Sequence, residues 1–155
     1  MSEILIGQPA PVFNLPATGG TTLSLAECAG KKVVLYFYAR DNTAGCTGEA
    51  REFAELHADF AALNVLILGV SRDSMITHEK FKAKWTLPFD LLSDADGQVC
   101  ELYGVLKEKN MYGKKSIGVE RSTFLINEQG VITGIFRKVK AAGHARAVLD
   151  TLTRS

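Results

Sequence analysis

The sequence predicts an α/β fold built on a mixed sheet, and three observations carry that expectation. Two continuous apolar runs, Val33–Tyr38 and Val65–Val70, are rich in β-branched, aromatic and aliphatic residues, as in strands buried on both faces. Each is followed by a helical pattern, so strand and helix alternate through the first part of the chain. Further on, Ser122–Ile126 and Val131–Phe136 flank Asn127-Glu128-Gln129-Gly130, which reads as an antiparallel hairpin. Alternating units followed by a hairpin give parallel and antiparallel pairing in one sheet.

The elements follow in order. Val12-Phe13-Asn14-Leu15, between Pro11 and Pro16, reads as a short strand, and Gly19-Gly20 turns into a second at Thr21–Leu25, making an N-terminal β-hairpin. Asp41–Gly45 is a loop. From Cys46 one long helix is expected, with Ala50, Phe53, Ala54, His57, Phe60 and Ala61 along one stripe and an end at Asn64. Ser74 caps the next helix, which runs to about Trp85. Pro88 stops it, and Phe89–Leu92 is a short strand. Asp94-Ala95-Asp96-Gly97 makes a turn before a brief helix holding Cys100 and Tyr103. Lys107–Gly118 is polar, basic and glycine-containing, and reads as a loop. His144–Leu152 is a final amphipathic helix.

The 155 residues are expected to form one domain, 1–155, long enough to bury a core without staples. The composition is 46% hydrophobic and 23% charged, which argues against disorder. A net charge of +1 gives no electrostatic case for nucleic acid or an anionic membrane as partner. No apolar run is long enough to span a bilayer. Met1–Gly7 lacks a basic start, a long apolar stretch and a small-residue cleavage site, so no secretory signal is expected. Three widely spaced cysteines, Cys28, Cys46 and Cys100, argue for a reducing compartment, by default the cytoplasm.

The chemically informative segment is Thr43-Ala44-Gly45-Cys46-Thr47-Gly48-Glu49, where a buried strand gives way to a helix. A cysteine in a first helical turn faces free backbone N–H groups and the positive end of the helix dipole. Such surroundings lower a thiol pKa from near ~8.5 to roughly 3.5–7.5. A free cysteine is often just a small buried hydrophobe, but Thr43, Gly45 and Thr47 flank this one instead of an apolar run. Glycine at 45 and 48 lets backbone or a small substrate approach. The spacing excludes a Cys-x-x-Cys pair, because position 49 is Glu. It also excludes the paired ligands of a structural zinc site, since Cys28, Cys46, Cys100, His57, His78 and His144 form no close pairs. Displacement by sulfur on an O–O bond needs a thiolate and donors for both oxygens. Thr43, three residues before Cys46, can turn its hydroxyl toward the sulfur. A planar, permanent cation suits the second role, and the residues alone leave Arg40, Arg51, Arg72 and Arg121 open.

The run Tyr36-Phe37-Tyr38-Ala39-Arg40-Asp41-Asn42-Thr43-Ala44-Gly45-Cys46-Thr47-Gly48-Glu49 resembles the active-site segment of the peroxiredoxins, most closely the bacterioferritin comigratory protein (PrxQ) subfamily. Ile6–Phe13, Leu91–Asp94, Asn110–Lys114 and Gly118–Leu125 extend the likeness over nearly the whole chain, in one order. The resemblance implies a thioredoxin-like fold with an N-terminal extension. It implies reduction of hydrogen peroxide and alkyl hydroperoxides in antioxidant defence, without metal, haem or flavin. Cys46 matches the peroxidatic cysteine, which becomes a sulfenic acid. Thr43 matches the threonine that hydrogen-bonds sulfur and peroxide. Arg121 matches the arginine that holds the thiolate, and Glu49 a glutamate that orients it, which leaves Arg51 and Arg72 as solvated surface charges. The subfamily leans toward monomer or weak homodimer.

Three departures from the family pattern stand out. Alanine occupies positions 39 and 44, where the family usually has proline, so a more mobile loop is expected. The resolving cysteine is missing both at Arg51 and in the next helix, around Phe81, Lys82 and Ala83. Cys100 is the remaining resolving candidate, but its setting between Gln98-Val99 and Leu102-Tyr103 suits the core, and Cys28 is likewise expected to be structural. The preferred cycle therefore uses an external thiol: thioredoxin, glutaredoxin or a low-molecular-weight thiol such as glutathione. The basic stretch Lys107–Lys115 is read as solvated surface or as a docking aid for that reductant. The rivals are a thiol–disulfide oxidoreductase and a non-catalytic, chaperone-like protein on the same scaffold.

Overall fold

A computed structural model describes residues 4–154. The expectation about Met1–Gly7 draws in part on Met1–Glu3, which lie outside the described residues. The elements are β1 (Asn14–Ala17), β2 (Thr21–Ser24), a short 3₁₀ turn (Leu25–Cys28), β3 (Lys32–Phe37), α1 (Ala44–Glu55), α2 (His57–Ala62), β4 (Val65–Ser71), α3 (Met75–Trp85), β5 (Asp90–Ser93), α4 (Gln98–Leu102), β6 (Leu106–Met111), β7 (Lys114–Val119), β8 (Ser122–Ile126), β9 (Ile132–Phe136) and α5 (His144–Thr153). Seven strands form one sheet in the order β2-β1-β5-β4-β3-β8-β9. Strand β3 pairs parallel with β4 and antiparallel with β8, so the sheet is mixed, as expected.

Strand β3 lies inside the sheet, between β4 and β8, because it can be buried on both faces. Val33, Leu35 and Phe37 point into one core layer, with Cys28, Cys100, Tyr103 and Phe124. Val34, Tyr36 and Tyr38 point into the other, with Cys46, Phe53, Phe60 and Phe81. The Tyr36 ring stacks on Phe53 at 4.8 Å and so seats α1 on the sheet. Gly69 on β4 makes room for that ring, since a Cβ there would lie 2.8 Å from it. Truncating Phe53 would cost about 3–5 kcal/mol by the usual cavity cost, and would loosen the helix that carries Cys46.

Three expectations need correction. The long helix is two helices: at Leu56, with φ −95° and ψ 5°, the ladder breaks between α1 and α2. Phe53 and Phe60 keep to one buried face across the break, which is why periodicity did not register it, while Ala61 is exposed. Lys107–Gly118 is not a loop but most of the hairpin β6–β7, turning at Tyr112-Gly113 with φ of 54° and 77°. The hairpin projects largely into solvent and so carries no apolar alternation to reveal it. The first strand lies at Asn14–Ala17, not Val12–Leu15. It includes Pro16, which is tolerated because β1 meets β5 only at the Ala17–Leu92 pair.

Candidate active site

Helix α1 begins with Thr43 at its N-cap in extended conformation, and the Thr47 N–H donates to the Thr43 carbonyl at 2.9 Å as the first bond of the ladder. The N–H groups of Ala44, Gly45 and Cys46 precede that bond, so the helix's positive end surrounds the sulfur. Cys46 is only 2% exposed.

Arg121, in the bend between β7 and β8, reaches across to α1. Its Nη2 donates to Cys46 Sγ at 3.3 Å and its Nη1 to Glu49 Oε1 at 2.6 Å. Cys46 and Glu49 are three residues apart, so one face of α1 presents both to a single planar fork. Burial opposes the charge on Arg121, but the neighbouring Glu49 and Cys46 outweigh it and raise its pKa. Burial pushes the Glu49 carboxyl up to about 7, against the downward pull of Arg121. Glu49 Oε2 is buried with no hydrogen-bond partner among the described residues, which fits that direction. Gly45 is needed for close approach, because a Cβ there would sit 3.2 Å from Arg121 Nη2. A cleft of about 420 Å³, lined in part by Ala39, Val119, Glu120, Lys138 and Val139, opens onto Arg121.

The other predicted residues fall as follows. The Thr43 hydroxyl donates to the Arg40 carbonyl at 2.9 Å, which leaves its oxygen free to accept a hydrogen bond. Arg40 and Arg72 are exposed, and Arg72 lies beside Gly97. Arg51 is exposed too, yet its guanidinium stands 4.8 Å from the Trp85 ring centre, a contact the sequence did not signal. Of the four open arginines, Arg121 is the one on the sulfur. Cys100 is fully buried, and burial together with Asp94 pushes its thiol far above the ordinary range. Cys28 is buried, raised chiefly by that burial, and its thiol donates to the Ser24 carbonyl at 3.6 Å. Both belong to the core layer opposite Cys46.

Sequence reasoning missed a buried pair beside the site. Asp41, in the loop before α1, lies 2.6 Å from His78 on α3, and both side chains are fully buried. The available signal was His78 and Phe81 at helical spacing on the same apolar face. Asp41, Asp73 and His78 place ligand-type atoms within 4.8 Å of one another. The 2.6 Å separation of His78 Nδ1 and Asp41 Oδ2 leaves no space for an ion between them. His144, read as an ordinary helix residue, is buried with Nε2 2.7 Å from the Thr123 hydroxyl. Burial and then the charge of Arg121 lower its pKa to about 4.

A thioredoxin-like mixed sheet with one thiol at a helix start, held under a guanidinium, defines a thiol peroxidase. The sequence model of the AhpC/TSA family matches residues 6–135. A putative peroxiredoxin Bcp of Coxiella burnetii is 50% identical over 97% of this chain and 99% of its own. The chain therefore belongs to the AhpC/TSA family, in its Bcp or PrxQ branch of peroxiredoxins, and is an enzyme of that class. Among solved structures, a PrxQ mutant from Xylella fastidiosa superposes with a TM-score of 0.93 at 40% identity, covering 99% of this chain and 98% of that one. The bacterioferritin comigratory protein of Xanthomonas campestris, described for its alkyl peroxide reduction activity, gives 0.88 at 46% identity over 92% and 90%.

Proposed function

We propose that this peroxiredoxin runs a one-cysteine cycle in which Cys46 is oxidised to a sulfenic acid and an external thiol restores it. The Cys46 thiolate attacks one oxygen of a hydroperoxide, the O–O bond breaks, and the departing alkoxide or hydroxide takes a proton and leaves as alcohol or water. Arg121 Nη2 shares the charge as it moves from sulfur to oxygen, and Glu49 holds the guanidinium in line. Thr43, its own hydrogen spent on the Arg40 carbonyl, accepts the peroxide hydrogen. Hydrogen peroxide and small alkyl hydroperoxides suit a buried cysteine whose partner Arg121 opens onto a modest cleft. Thioredoxin, glutaredoxin or a low-molecular-weight thiol then attacks the sulfenic sulfur, releases water and leaves a mixed disulfide that a second thiol reduces. One domain carries the whole cycle, as a monomer or weak homodimer in the cytoplasm.

The observation that carries this reading is the sheet itself. Cys46 lies in one core layer while Cys28 and Cys100 lie in the other, with β3 between them. A disulfide requires Cα atoms within about 7 Å, and no local shift brings sulfurs around a seven-stranded sheet. The test is intact-mass spectrometry after one equivalent of hydrogen peroxide, with and without a sulfenic-acid trap. A single oxygen adduct, trappable and confined to Cys46, is expected. A loss of two hydrogens with no trapped adduct, abolished in Cys100→Ser or Cys28→Ser, would overturn the one-cysteine cycle.

A further inference from the structure

The segment 39–44 leads to the reactive sulfur with alanine at both ends, so its covalent structure does little to fix it. Asp41 is its one buried residue. The Asp41 N–H donates to Asp73 Oδ2 at 2.8 Å, and Tyr38 donates its hydroxyl to Asp41 Oδ1 at 2.6 Å. Asp41 Oδ2 lies 2.6 Å from His78 Nδ1, and His78 Nε2 lies 2.9 Å from the Leu92 carbonyl oxygen. The loop is thereby tied at one residue to the segments that follow β3 and β4 and to α3, and through His78 to β5.

The hydrogen inventory of this cluster is constrained. A carbonyl oxygen only accepts, so His78 Nε2 carries a hydrogen. A neutral imidazole beside an ionised carboxylate would then set two lone pairs against each other across 2.6 Å. One further proton must occupy that contact, as imidazolium–carboxylate or as imidazole–carboxylic acid. The pair is neutral as a unit in both cases, as a fully buried site requires.

We propose that His78 is a positioning residue for the peroxidatic loop, clamping Asp41 through a proton held between Nδ1 and Oδ2. The effect reaches the chemistry through one peptide plane. The Asp41 N–H and the Arg40 carbonyl belong to the same rigid unit. Holding the first on Asp73 fixes the second, and the second accepts the Thr43 hydroxyl hydrogen at 2.9 Å. Thr43 in turn holds the N-cap position of the helix that carries Cys46, its carbonyl accepting from the Thr47 N–H. A side chain that never touches peroxide thus sets where the acceptor oxygen and the first turn of α1 stand relative to Arg121. The inference rests on Cys46 being the peroxide-reactive sulfur.

The test measures the rate of Cys46 oxidation by hydrogen peroxide in stopped flow near neutral pH. His78→Ala is expected to slow it by about tenfold or more, the scale of a small misplacement. Asp41→Asn keeps the shape with neutral partners: the amide N–H donates to a neutral His78 Nδ1 and the amide oxygen accepts from Tyr38. It is expected to stay within about twofold of wild type. Ala44→Pro in the His78→Ala background is expected to recover most of the loss, because proline at the first helical position restricts Thr43 to the extended conformation it already holds, φ −82° and ψ 152°. Wild-type protein labelled with ¹⁵N should show a far-downfield proton coupled to the His78 ring, absent from Asp41→Asn. A folded His78→Ala that reacts at the wild-type rate overturns the proposal. An Asp41→Asn as slow as His78→Ala, or a proline that recovers nothing, also overturns it. Should His78→Ala fail to fold, the Asp41→Asn rate and the wild-type proton signal decide. Wild-type protein that ignores peroxide would instead sink the reading of Cys46.

Discussion

Gly45→Ala separates the chemistry of the site from its stability. A Cβ at position 45 would stand 3.2 Å from Arg121 Nη2, so the guanidinium must recede by a few tenths of an ångström. It cannot recede toward Glu49, because Nη1 already lies 2.6 Å from Oε1. The remaining direction lengthens the 3.3 Å bond to Cys46 Sγ. A hydrogen bond to a charged group contributes about 1.5–3 kcal/mol, and losing roughly half of it, ~1 kcal/mol, corresponds to about a fivefold slower reaction. The fold responds in the opposite direction. Position 45 lies inside α1, where alanine is the better helix former by up to about 1 kcal/mol, less in a first turn. The expected result is a Tm equal to or above wild type, with a second-order rate constant for hydrogen peroxide several-fold lower in stopped flow. An unchanged rate would refute the steric argument. A rate that falls together with Tm would show general damage instead.

Three further outcomes follow from the same geometry. Arg121→Ala should slow peroxide attack by about a hundredfold, because the charge moving from sulfur to oxygen loses its cation; an unchanged rate would count against the assigned role. Glu49 has a folded pKa of about 7, raised from 4.5, so its share of stability is full below pH 4.5 and is lost as pH rises through about 7. Thermal denaturation of Glu49→Gln should show a gain over wild type that grows across that window, ~3 kcal/mol at most, while its peroxide rate falls because Arg121 loses its ionic anchor. His144 has the opposite sign: its pKa is lowered from 6.5 to about 4, so its share is full above pH 6.5 and is lost as pH falls through about 4. His144→Gln should flatten the acid side of the Tm curve; because the two groups offset each other between pH 4.5 and 6.5, only the single variants reveal either.

What could be read from the sequence depended on whether a residue's role is local or spatial. Strand β3 announced itself because burial on both faces demands an unbroken apolar run, and β4 did so for the same reason. Cys46 was readable as the candidate nucleophile because a cysteine between threonine and glycines at a helix start is a local pattern. Arg121 lies 75 residues from Cys46, and no spacing rule links them; the family resemblance named it. The β6–β7 hairpin was missed because an exposed two-stranded ribbon imposes no alternation. The Asp41–His78 bond spans 37 residues between a loop and a helix face, and each residue alone looks ordinary.

The two alanines and the missing resolving cysteine bear on one another. A sulfur that is 2% exposed suits a small peroxide but not an attacking protein thiol, which must approach in line with the S–O bond of the sulfenic acid. In the proposed one-cysteine cycle, with Cys28 and Cys100 in the opposite core layer, that attack comes from outside and requires the first turn of α1 to open. Prolines at 39 and 44 would resist such an opening, and alanines do not. The buried bonds of Asp41 would then set where such an opening stops, since the Asp41 N–H is held on Asp73 while residues 42–45 are exposed. The proposed cycle would gain from this division, since the Arg40 carbonyl that orients Thr43 would stay fixed while the exposed residues before the sulfur open.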